Sequence, residues 1–157
     1  MKTQTYILAL VVFLYFNACS SSKTTTESVQ QTTQKIESKD FTIKVNYALP
    51  LRMKQVSLTS YYEMRIKNDS SITFLPYYGV AHVAPMNPAE GGIKFEEKIN
   101  NYLVRPNKKN DGWEISFMVN TREYQYQIYL SIFNNGYSSI TINSNKQDAI
   151  TFYGDLE

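Results

Sequence analysis

The stretch YQYQIYLSIF, from Tyr124 to Phe133, places Tyr124, Tyr126, Ile128, Leu130 and Ile132 on one side of an extended backbone. Gln125, Gln127, Tyr129 and Ser131 fall on the other. On a helix the first set would scatter around the whole circumference, so the pattern fits a strand with one buried face. The same two-residue period recurs at Phe41, Ile43, Val45 and Tyr47, at Ile115, Phe117 and Val119, at Ile140 and Ile142, and at Ile150 and Phe152. A chain patterned this way folds by laying strand faces over a shared core.

The joints between these runs carry turn chemistry. KNDG at 109–112 and NNG at 134–136 supply Asn, Asp and Gly where hairpins need positive φ, and NDSS at 68–71 is a third example. Strands are expected at roughly 41–49, 55–67, 72–78, 80–84, 92–104, 112–120, 123–133 and 137–143, with a closing ninth near 148–154. Thirteen tyrosines and an aromatic content of 14% add to the strand bias. Short connections without helix-length interruptions predict an all-β fold, an antiparallel meander of about eight strands that closes into a barrel or folds into a sandwich. PMNPAEGG, from Pro85 to Gly92, excludes a central strand and reads as a loop crossing one end.

The N-terminus has a different texture. Lys2 precedes an apolar run from Tyr6 to Phe16, which at ~1.5 Å per helical residue falls well short of a ~30 Å hydrocarbon core. A basic start, a short apolar segment and a small or polar exit form the layout of a secretory leader over residues 1–18. Phe16, Asn17, Ala18 and Cys19 resemble a bacterial lipobox, with phenylalanine in place of the usual leucine. The resemblance implies diacylglycerol on the sulfur of Cys19, cleavage before it, and a membrane partner reached through an N-terminal lipid anchor. Two or three acyl chains hold a protein on a bilayer where one binds marginally. Residues 19–40 then read as the lipidated cysteine and a flexible Ser/Thr/Gln-rich tether, with a short helix over Glu27–Lys39 as the alternative. Residues 41–157 form the β-domain. Neither the aspartate of inner-membrane retention nor an acidic export cluster follows Cys19, so family-level sorting rules place the protein on the outer membrane, facing the periplasm.

Lys2 is the only charged residue in the leader, so the chain beyond it is nearly neutral and carries no basic footprint for nucleic acid. Acylation of Cys19 removes the single thiol, and with it disulfides, thiol catalysis and cysteine metal sites. One histidine, His82, is too few for a His-rich metal site, and no serine or carboxylate stands at telling spacing from it. Glu96 and Glu97 point to opposite faces of a strand and cannot share a proton. Gly91 and Gly92 lack the following helix of a phosphate loop. No catalytic residues, metal or cofactor are therefore expected, and the chain reads as a non-enzyme. Tyrosines combine apolar area with a polar tip. Tyr77, Tyr78, Tyr124 and Tyr126, with His82, are the candidate binding surface, against the plainer reading that tyrosine is an ordinary strand residue.

At ITFLPYYGVAHVAP, GGIKFEE and GYSSITINSNKQDAITFYGDL the chain resembles the domain of unknown function 4251 family, small lipoproteins of Bacteroidetes-type bacteria. Leu75 to Gly79 form the most recognisable block, supported by Gly91 to Phe95 and Ile150 to Gly154, and the resemblance spans Phe41 to Glu157. It implies an eight-stranded, lipocalin-like barrel and no known activity. Two readings follow: a binding or interaction module for a hydrophobic or peptide-like ligand or an envelope protein, or a structural or assembly accessory with a filled core. A surviving cavity of ~300 Å³ or more favours the first.

Overall fold

A computed structural model describes residues 22–84 and 91–157, with side chains from Glu27 onward. The expected leader and Cys19 lie outside those residues, as do 85–90 of the PMNPAEGG connection. The described chain forms a helix, α1 (Ser22–Ser38), followed by β1 (Asp40–Pro50), β2 (Val56–Ser57), β3 (Glu63–Lys67), β4 (Ser70–Leu75), β5 (Ile93–Pro106), β6 (Gly112–Asn120), β7 (Gln125–Phe133), β8 (Tyr137–Ser144) and β9 (Ile150–Leu156).

All pairings are antiparallel, and β9 returns to β1 along Ile43–Pro50, so the sheet closes on itself. β2 and β3 lie along the same edge of β1, opposite Tyr47–Ala48 and Asp40–Lys44 respectively, and together act as one stave. The result is a closed eight-stranded barrel, as expected, in which every stave has a neighbour on both sides over at least part of its length. The alternating faces are oriented as the sequence predicts: Ile128, Leu130 and Ile132 of β7 are at most 1% exposed, while Tyr129 is 47% exposed. Ile43, Met64, Ile66, Ile115, Phe117, Ile140 and Phe152 join them in a filled midsection. Positive φ falls at Asn68, Asn110 and Gly136, one in each expected hairpin turn. Closure also requires Gly154, because a side chain there would collide with the carbonyl of Lys44 where β1 bulges between Val45 and Tyr47.

Three expectations are corrected. The run 80–84 is not a strand: β4 pairs directly with β5, so an inserted strand has no edge to join, and Ala81 makes a single bridge to Gln147. The strand expected over 55–67 is interrupted at 58–62. There Leu58 N–H donates to the Asn46 carbonyl and Val45 N–H to that of Tyr62, and the backbone arches around the β1 bulge. The flexible tether, finally, gives way to its alternative, a helix, which runs over Ser22–Ser38 rather than Glu27–Lys39. Thr32 and Ile36 are buried and Val29 is half-buried, three positions on one side of α1. With threonine in the middle of that stripe, the aliphatic period is too sparse to read from the sequence.

The helix defines the two ends of the barrel. At one, the tight turns at 68–69, 107–111 and 134–136 gather beneath α1, whose Ile36 belongs to the main core cluster and faces Tyr102 and Trp113. Lys39, at φ 52°, ends the helix; its Nζ lies 3.2 Å from Asp69 and 4.9 Å from the Tyr102 ring centre. The other end carries the connections 51–55, 121–124 and 145–149 with the described residues 76–84 and 91–92, and among the described residues it is open.

Candidate functional site

The open end is shaped by strands of unequal length. β6 stops at Asn120 because the Thr121 hydroxyl accepts hydrogen bonds from the amides of Glu123 and Tyr124, at 3.3 and 2.9 Å, and folds the chain straight into β7. β5 continues past that level to Ile93. Its first partner on β6 is Val119, opposite Ile99, so among the described residues Ile93–Lys98 is paired on the β4 side alone.

A cleft of about 410 Å³ occupies the resulting gap in the wall. Its floor is a run of stacked rings: Phe95 and Tyr126 have centres 5.4 Å apart, and Tyr126 and Tyr124 5.5 Å. Tyr77, Gly91, Gly92 and Gln147 border it from the loops, while Glu97, Arg122 and Glu123 add charge at its walls; Lys94 borders it too, but its ammonium lies over the Phe74 ring on the outer face. Burial raises the pKa of Tyr126, helped by the neighbouring Tyr124 and Glu123, while a hydrogen bond from Gln147 works against it. Tyr77 and Tyr124 are also raised, mainly by desolvation. The three phenols are thus neutral at physiological pH; Tyr77 donates its O–H to loop carbonyls, so the phenols left to face a ligand are those of Tyr124 and Tyr126.

A second cluster fixes the loop above the cleft. Asp148, with a side chain only 6% exposed, pairs with Arg52 Nε at 3.0 Å and with His82 Nε2 at 3.0 Å. Its amide donates to the Val80 carbonyl, His82 N–H donates to the Lys146 carbonyl, and the Tyr77 hydroxyl lies 3.1 Å from the carbonyls of both Val80 and Asp148. These contacts clamp the residues after β4 onto the β8–β9 connection.

Of the five candidate residues, Tyr77, Tyr124 and Tyr126 come together in the cleft. His82 belongs to the clamp, and Tyr78 packs against the core. Phe95 and Glu97 were missed as site residues, although a signal for them exists. In GGIKFEEKI the alternation puts Ile93, Phe95, Glu97 and Ile99 on one face, so a carboxylate stands in an otherwise apolar row. Glu96 is exposed on the opposite face, as the strand geometry requires.

The chain belongs to the family described as "Domain of unknown function (DUF4251)", whose profile matches residues 23–156. No curated protein matches it in sequence. Among solved structures it is similar to a DUF4251 family protein from Bacteroides eggerthii DSM 20697, with a TM-score of 0.64 at 17% identity over 83% of this chain and 87% of that one. At that identity the likeness speaks for the barrel fold alone. The family match begins within α1 and so takes in the helix along with the barrel.

Proposed function

We propose that this chain is a lipid-anchored protein of the bacterial outer membrane, facing the periplasm, that works as a non-enzymatic binding module through the cleft at the open end of its barrel. The observation that carries the reading is the cleft itself. The barrel midsection is packed with Ile, Phe and Met, whereas about 410 Å³ survives at the mouth over three stacked rings with polar tips around them. A ligand therefore enters the wall at the mouth, unlike a guest sealed inside a central cavity. An apolar or aromatic group stacks on Phe95 and Tyr124, and polar atoms meet Gln147 and the flanking charges.

Uptake of anilinonaphthalene sulfonate, followed by fluorescence, tests the cleft. Saturable binding at one site, lost in Phe95→Ser and retained in an outer-face variant such as Tyr129→Ser, is the expected result. Binding that ignores Phe95→Ser overturns the assignment. Anchoring through Cys19 is supported by the lipobox-like FNAC stretch. In cells, Cys19→Ala is expected to move the protein from the detergent phase to the aqueous phase on partitioning, and retention in the detergent phase refutes the anchor.

A further inference from the structure

The cleft borders a strand edge that has no pairing partner among the described residues, and the geometry points to an extended polypeptide segment that pairs with β5 along Ile93–Lys98 as its occupant, an inference that rests on the mouth cleft being the binding site. Ile99 N–H donates to the Asp69 carbonyl at 2.8 Å, which makes 99 a position whose backbone faces β4. Antiparallel ladders alternate, so in the register Lys98 opposite Ser70 through Ile93 opposite Leu75, residues 93, 95 and 97 also spend their backbone groups on β4. Lys94 and Glu96 turn their N–H and C=O groups the other way, toward the gap that β6 leaves by ending at Asn120. At ~3.3 Å per residue this is about 20 Å of wall, long enough for a short strand.

Two features separate this edge from an incidental fray. Exposed edges are commonly protected by charge, and Lys94, Glu96 and Lys98 on the outer face do that here. Protection alone needs no cavity, yet the inward side chains of the same stretch, Phe95 and Glu97, line one. A strand added here points alternate side chains into the cleft, one beside Phe95 and the next, two residues along, beside Glu97. Glu97 takes part in none of the ion pairs among the described residues. The occupant is thus a segment with an apolar or aromatic residue and a lysine or arginine two positions from it, held by backbone pairing to Lys94 and Glu96.

The test uses the detergent-solubilised full chain and a phage-displayed library of random decapeptides, followed by synthetic copies of the enriched sequences. Enrichment of the apolar-x-basic pattern is expected, with slowed amide exchange in the 93–98 segment when peptide binds. Glu96→Pro removes an edge donor that β4 does not use and should weaken binding about tenfold. N-methylation of the peptide amides that face β5 should do the same, while N-methylation of the alternate set leaves binding intact, so the proposal remains testable if the proline variant misfolds. Peptides that bind regardless of both changes, or no enriched peptide while anilinonaphthalene sulfonate still occupies the cleft, overturn strand addition and leave the mouth reading standing. Failure of both probes overturns both.

Discussion

The two ends of this barrel are closed by different means. At the helix end, tight turns bring the strand ends together and α1 lays Ile36 into the same core as the wall, so the seal is apolar. At the mouth, unequal strands leave a gap, and the loop above it is held by polar contacts centred on Asp148. Apolar burial is non-directional and is lost only when the packing opens. A clamp built from Arg52, His82 and backbone bonds has two partners more than half exposed and can release without disturbing the core. The comparison teaches that stability and access are segregated, with the first at the α1 end and the second at the mouth.

Breaking the apolar seal should have the largest effect. Ile36→Ala removes a side chain 2% exposed and is expected to cost about 2–4 kcal/mol in denaturant unfolding, with anilinonaphthalene sulfonate uptake at the mouth unchanged in the fraction that stays folded. A midpoint that does not move means that α1 contributes nothing to the barrel, and the contrast between the ends collapses.

Asp148→Asn tests the clamp and should matter less to stability, about 1 kcal/mol, since its partners are solvated. Its signature is local. Limited proteolysis should cut faster in the connection after β4 while the melting transition stays cooperative, and a global loss of cooperativity would show that the clamp is part of the core.

The smallest effect concerns Tyr102 beneath α1. Its hydroxyl is buried with no hydrogen-bond partner among the described residues, and desolvation pushes its pKa up to about 12 from 10.0. The unfolded chain loses this proton first, so the contribution is fully present below pH 10 and is lost as pH rises toward 12. Tyr102→Phe should leave stability at neutral pH unchanged or slightly higher and reduce the alkaline loss in that window. An unaltered alkaline limb assigns the loss to other groups.

Much of this was legible in the chain. Alternation in YQYQIYLSIF oriented β7 correctly, and the turn residues Asn68, Asn110 and Gly136 marked three hairpins with the φ values they adopt. Tyr77, Tyr124 and Tyr126, candidates by their chemistry, meet in the cleft. His82, a candidate beside them, is instead engaged with a carboxylate 66 positions away in sequence, and local pattern holds no record of such a pair. The 80–84 run had strand texture, but a strand exists only where a neighbour offers an edge, and β4 and β5 had already paired.

What the sequence determined by itself is therefore local: which faces are apolar, where the backbone must turn, and that a meander follows. Tertiary structure decided the rest, because hydrogen-bond pairing is settled between segments and not within them. The closure of β9 onto β1, the folding of the expected tether onto the core, and the early end of β6 that leaves β5 bare all depend on where another strand stops. The candidate site lies in that last difference in length, which no single stretch of the chain encodes.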